Sequence, residues 1–167
     1  MLETDRLLLR PWRVSEAAVQ RELWTERDPR VPARRRIDAE GRPTLADFEE
    51  GVRSQRPSGL GLLAVERKTE GDVVGYCGLV EGGAAADAEP ELAYELLRRV
   101  WGRGYATEAS SAVIDWARSA GLTGLSATVW DWNTGSRRVL EKLGFTETSR
   151  EEPDPVHGTN LLYTIRL

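Results

Sequence analysis

A chain of 167 residues with 40% apolar and 30% charged side chains is sized for one domain, 1–167, folded around a single core. A net charge of −4 excludes broad non-specific nucleic-acid binding and suits a cationic substrate, and no apolar run approaches the roughly 18 residues of a spanning helix, so no membrane partner is expected. Cys77 and His157 are the lone cysteine and histidine, which excludes a disulfide framework and the usual zinc ligands; with no basic-then-apolar leader at Met1, a cytoplasmic protein without metal is expected.

"RLLLRPW" over 6–12 is short, partly alternating and closed by Pro11, and predicts the first strand. Ser15 precedes apolar residues at helical spacing (Ala18, Val19, Leu23), predicting a helix capped by Ser15 and running to about Trp24. Residues 25–43 form a polar, proline-punctuated loop of a length usually reserved for binding or motion. Its "RVPARRR" segment, 30–36, reads either as a solvated charged loop or as a contact for an acidic substrate or a ribose phosphate. Thr44 caps a second helix through 54, with acidic residues early and Leu45, Phe48 and Val52 on one face.

After Ser58 the period changes, and the spacing predicts a hairpin of strands 62–67 and 73–80 turning at Gly71. Cys77 reads as a buried small apolar residue of the second strand. "EGGAAADAEPE" reads as an acidic turn, followed by a strand over 91–97. A helix then runs from Gly104 with Ala106, Ala109, Val113 and Ala117 on one face, stopping after Ala120 at Gly121. A strand at 125–130, a capped helix at 133–144 and closing strands at 145–152 and 159–167 complete the chain, with His157 in the turn between the last two. The order predicts a single α/β (α+β) domain with a mixed sheet.

Two stretches carry chemistry. In "RRVWGRGYATEAS" two glycines stand directly before a helix, where unpaired N–H groups and the helix dipole favour an anion such as pyrophosphate. Taken alone the glycines serve equally well as a turn between strand and helix. Thr107 stands where a dinucleotide fingerprint needs its third glycine, and no Gly-Lys-Ser/Thr follows, so neither common phosphate loop fits. In "NTGSRRVLEKLGF", Asn133 caps a helix that carries Ser136 in its first turn.

Together, and in this order, the two stretches resemble the GNAT N-acetyltransferases. "VWGRGYATEA" is similar to their Gln/Arg-x-x-Gly-x-Gly/Ala coenzyme loop, with Trp101 at the first position, Gly104 at the glycine and Ala106 at the last. "NTGSRRVLEKLGF" is similar to their later Asn-x-x-Ser helix, and "LETDRLLLRPW", "VVGYCGL" and "ELAYELL" resemble the RimJ/RimL-like subgroup that acetylates N-termini of ribosomal proteins. The resemblance covers essentially the whole chain. It implies a central, mostly antiparallel mixed sheet flanked by about four helices, acetyl-CoA as cosubstrate, an amine acceptor and a homodimer as one assembly.

The resemblance further implies coenzyme binding by Leu96, Leu97, Arg99, Trp101, Gly102, Arg103, Gly104, Tyr105, Ala106, Thr107, Asn133, Ser136 and Arg137. Trp101 replaces the usual Gln or Arg, leaving Arg99, Arg103 and backbone N–H groups as donors. Backbone N–H groups of strand 91–97, splayed from the next strand, would hold the acyl carbonyl, with Ser136 near the thiol sulfur. Many members carry a tyrosine as general acid where this chain has Leu140. Glu91 and Glu95, four apart on a strand, share a face and are candidate bases through water. The acceptor is an α-amine of a protein N-terminus or a small-molecule amine, and a non-catalytic acyl-CoA-binding regulatory module is the alternative.

Overall fold

The computed structural model describes residues 1–55, 61–82 and 89–167, so most of the acidic turn expected before residue 91 lies outside the described residues. Eight strands form one sheet in the order β1-β2-β3-β4-β5-β6-β8-β7. They are β1 (Leu2–Glu3), β2 (Leu7–Arg10), β3 (Leu62–Arg67), β4 (Val73–Val80), β5 (Glu91–Leu96), β6 (Gly124–Trp130), β7 (Thr146–Asp154) and β8 (Gly158–Arg166). Helices α1 (Ala17–Glu26), α2 (Leu45–Ser54), α3 (Tyr105–Ser119) and α4 (Thr134–Lys142) flank them. Every neighbouring pair is antiparallel except β5–β6, which is parallel. This is the α/β architecture expected from the sequence, a mixed, mostly antiparallel sheet flanked by four helices.

Strand periodicity sorts side chains to two layers. On β3, Leu63 and Val65 join Leu7, Leu9 and Cys77 in the core under α3, while Ala64 faces the other way with Trp12, Val52 and Val73 under α1 and α2. α3 presents Ala109, Val113 and Ala117, each fully buried, at the predicted helical spacing. Cys77 is buried as expected, and burial pushes its thiol up to about 12.

Three local expectations are corrected. Ser15 does not cap α1; residues 14–16 form a 3₁₀ turn instead, and Glu16 accepts from the Arg13 N–H at 2.9 Å while pairing with Arg10. A carboxylate held by a buried arginine outcompetes a lone hydroxyl for the chain entry. The two-residue β1, which pairs Leu2 with Leu9 and Glu3 with Leu8, is too short to leave a period. β7 runs to Asp154 through Pro153, which an edge strand tolerates. Thr44 caps α2 as expected, in a reciprocal box with Asp47.

Gly75 has a packing reason. It lies beside the bulge at Val65/Glu66, and a Cβ there would meet the Glu95 carbonyl at 2.1 Å. Close approach of β4 to β5 at this point fixes the strand from which the site is built.

Candidate active site

β5 and β6 share one registered pair, Glu91 with Ser126, reinforced by Ser126 N–H to Pro90 O at 3.0 Å, and then separate. Leu97 N–H bonds Val74 O on β4, so alternation turns the odd-numbered residues of β5 toward β4. The N–H and C=O of Tyr94 and Leu96 therefore face the gap. Trp101 Nε1 donates to the Leu96 carbonyl at 2.6 Å, although Trp101 itself is 62% exposed. The indole thus satisfies the acceptor at the mouth of the gap and leaves the neighbouring N–H donors.

Beyond β5, a 3₁₀ turn at Arg98–Val100 leads to Gly102 at φ 75° and Gly104 at φ 82°. Both are left-handed, which glycine adopts without penalty. Gly104 is the N-cap of α3 and brings no capping side chain, so the first N–H groups of a 15-residue helix stand open behind a turn without Cβ atoms. That donor set fits the pyrophosphate of a coenzyme. The Arg103 guanidinium has no partner among the described residues, whereas the Arg99 guanidinium pairs with Glu22 at 2.7 Å and lies 3.8 Å from Asp72.

The turn is held by residues that sequence spacing did not single out. Arg6 donates to the Arg103 carbonyl at 3.0 Å, pairs with Glu108 and covers the Tyr105 ring. Glu108 also accepts from Thr4 Oγ1 at 2.6 Å and from the Arg6 N–H at 3.0 Å. Burial pushes the Glu108 carboxyl up, but these donors outweigh it and hold the group below its ordinary 4.5. A depressed carboxyl contributes stability that is complete above the unfolded value and is lost as pH falls through the folded one. The melting-temperature gap between wild type and Glu108→Gln should therefore be constant above about pH 5.5 and close below about pH 4.5. A gap that widens on acidification contradicts the assignment.

Across the gap, Asn133 Oδ1 caps α4 by accepting from Ser136 N–H at 3.2 Å, as the sequence predicts. Tyr94 Oη reaches over from β5 and donates to Ser136 O at 3.1 Å. Burial raises the Tyr94 hydroxyl above its ordinary value, so it stays protonated. Leu140 is 1% exposed in the core and contributes nothing polar here. Arg137 turns away, its guanidinium donating to Tyr163 Oη, Asp131 O and Glu147, each at 3.2 Å.

On the opposite face of the sheet Glu91 and Glu95 share a side, as alternation predicts, and both are engaged. Glu91 Oε1 accepts from Thr128 N–H at 3.2 Å and Thr128 Oγ1 at 2.5 Å. Glu95 is clasped by Arg27 through Nε at 2.8 Å and Nη2 at 2.6 Å, and accepts from Tyr76 Oη at 3.0 Å. Arg27 is 7% exposed, so this bidentate pair fixes Glu95 against the loop that Arg27 begins. Near the β7–β8 turn, Trp130 stacks with Trp132, Arg30 lies over Trp132, and His157 Nδ1 meets Arg30 O at 2.8 Å.

A splayed parallel pair thus opens onto an uncapped, glycine-fronted helix, an arrangement of free N–H donors suited to an extended anionic ligand. The family model described as acetyltransferase (GNAT) domain matches residues 6–146, and the chain belongs to that family. An uncharacterised protein YkkB of Bacillus subtilis is 34% identical over 107 residues, 62% of this chain, and the match spans 62% of that protein's length. An uncharacterised N-acetyltransferase p20 of Bacillus licheniformis is 29% identical over 86% of this chain and 81% of its own. A GNAT-family acetyltransferase from Bacillus anthracis superposes with TM-score 0.79 at 21% identity, covering 99% of this chain and 97% of that one. Mycobacterium smegmatis RimJ, in complex with CoA-disulfide, superposes with TM-score 0.66 at 23% identity, covering 96% and 81%.

Proposed function

We propose that the protein is an acetyl-CoA-dependent N-acetyltransferase that transfers an acetyl group to a primary amine by direct attack in a ternary complex. What carries the reading is the parting of β5 from β6 with unpaired Tyr94 and Leu96 N–H groups, continuous with the open N-terminus of α3. The N–H groups of residues 102–107 and the Arg103 guanidinium would hold the pyrophosphate, and the Leu96 N–H the pantetheine, the Leu97 N–H being spent on Val74 O. Acetyl-CoA supplies an activated acyl carbonyl and a thiolate leaving group. The gap-facing N–H groups of β5 receive the oxyanion as the amine nitrogen forms the C–N bond and the C–S bond breaks. Asn133 and Ser136 border the sulfur, and Tyr94 holds α4 against β5 with a proton available at Oη.

Attack needs a neutral amine. A peptide α-amine titrates at about 7.7 to 8.0 and is partly neutral near pH 7, whereas lysine at about 10.4 is not. Glu91, whose Oε1 is anchored by Thr128, is the group that would take the released proton through water. The sequence resemblance to the RimJ/RimL-like subgroup points to a protein N-terminus, a small amine being the other source. A cytoplasmic location suits the buried, unpaired Cys77, and a homodimer remains part of the proposal.

Leu140, buried where many relatives carry an acid, favours a second reading, a non-catalytic acyl-CoA-binding regulatory module. Free thiol release separates the two. Incubation with acetyl-CoA and a panel of peptides and small amines should liberate CoA above the spontaneous rate. Tight CoA binding with no turnover on any amine establishes the module instead.

A further inference from the structure

The loop between α1 and α2 inverts the charge of the molecule. Residues 27–36 hold five arginines against one aspartate in a chain of net charge −4. Two of the five are spoken for: Arg27 by Glu95 and Arg30 by Asp28. Arg34, Arg35 and Arg36 have no carboxylate within ion-pair distance among the described residues, while most other arginines of the chain have one. Arg36 goes further, because its Nε is buried and has no hydrogen-bond partner among the described residues. A buried donor on a cation without an acceptor is a cost that folding normally avoids, and an incoming anion removes it.

These residues occupy a defined place. Arg34 and Arg36 line a hollow of about 410 Å³ together with Asp38, Arg42, Pro43 and Asp47. The carboxylates there are already held, Asp38 by Arg42 and Asp47 by the cap of α2, so neither claims the free guanidinium groups. The hollow is also tied to the transfer strand. Arg27 Nη1 donates to Arg35 O at 2.7 Å while its other nitrogens grip Glu95 of β5, so one guanidinium spans the distance between the basic loop and β5.

We infer that Arg34 and Arg36 form an anion subsite for the acceptor, selecting a primary amine that also bears a carboxylate. The inference rests on the acetyltransferase reading for its use and on the unpaired arginines for its existence. It reverses the expectation, drawn from net charge, of a cationic substrate. Such an amine is available as a free amino acid or as a peptide N-terminus with an acidic side chain close behind, and guanidinium recognition of the carboxylate is common to the two.

Matched acceptors test it. CoA release is measured with alanine against alaninamide, and with Ser-Asp-Gly-Gly-amide against Ser-Asn-Gly-Gly-amide, in wild type and in Arg34→Gln/Arg36→Gln. Wild type should favour the acidic member of at least one pair by tenfold or more in kcat/KM; the pair that does so identifies the source. The double variant should lose that preference through KM, and Arg36→Lys should restore part of it. In parallel, succinate is titrated into the CoA complex by calorimetry; wild type should bind it and the double variant should not. Transfer without preference, or preference untouched by the double substitution, overturns the subsite. Succinate binding lost in the variant but no transfer to any amine leaves the subsite standing and removes the acetyltransferase reading. Neither transfer nor succinate binding removes both.

Discussion

Gly104→Glu should lower CoA affinity by at least 100-fold while the protein stays folded. Gly104 sits at φ 82°, and a side chain there costs about 1–2 kcal/mol of backbone strain. The larger effect is electrostatic. A carboxylate at the N-cap lies where the helix dipole favours negative charge, so the new side chain fills the anion position from within and repels the pyrophosphate. Two like charges near 4 Å at a protein surface interact by up to about 4 kcal/mol, and a loss of about 2.7 kcal/mol is already 100-fold. The nearest neighbour of a new Cβ is an Arg6 nitrogen at 3.5 Å, an ordinary contact, so the helix should survive. Calorimetric titration with CoA reads the affinity and circular dichroism the fold, with Gly104→Ala isolating the strain component. Wild-type affinity in a folded Gly104→Glu protein would place the coenzyme elsewhere.

The second large effect concerns stability and the acceptor face together. Arg27→Ala removes a bidentate partner from Glu95 and the cation over the Trp24 ring, stranding a carboxylate that is itself only 22% exposed. Breaking a buried ion pair costs about 3–5 kcal/mol, and the residual exposure of Glu95 brings the expectation below that range, to about 2–3 kcal/mol. Urea denaturation of Arg27→Ala, Glu95→Ala and the double variant measures it. The double variant should be markedly less destabilised than the sum of the singles, because no unpaired charge remains in it. Additive losses would mean that the pair is incidental. CoA affinity should be unchanged throughout, since Arg27 lies on the face opposite α3.

What the sequence made legible was local. Helical spacing from Gly104, the Thr44 and Asn133 caps and the β3–β4 hairpin are set by residues within a few positions of one another, where period and capping chemistry act. The long-range pairings were not legible. Arg6 and Glu108 are 102 positions apart, Tyr94 and Ser136 42, and Arg27 and Glu95 68. With 23 basic and 27 acidic residues, spacing cannot choose among so many combinations; only the folded sheet does. The same limit explains Arg99 and Arg137. Each stands in the right stretch, yet its side chain answers to carboxylates supplied by distant elements.

The single registered pair between β5 and β6 has a mechanical consequence. The sheet is two leaves, β1–β5 and β6–β8, hinged at one end by the Glu91–Ser126 pair and the Glu91–Thr128 hydrogen bonds and otherwise joined by packing under α3 and α4 and by the Tyr94 tether. A pantetheine laid along the gap completes the missing ladder and acts as a stitch through the spine of the molecule. On the proposed placement the coenzyme would be a structural member as well as a reactant: its binding would stiffen the sheet across the seam, and its release would loosen the two leaves.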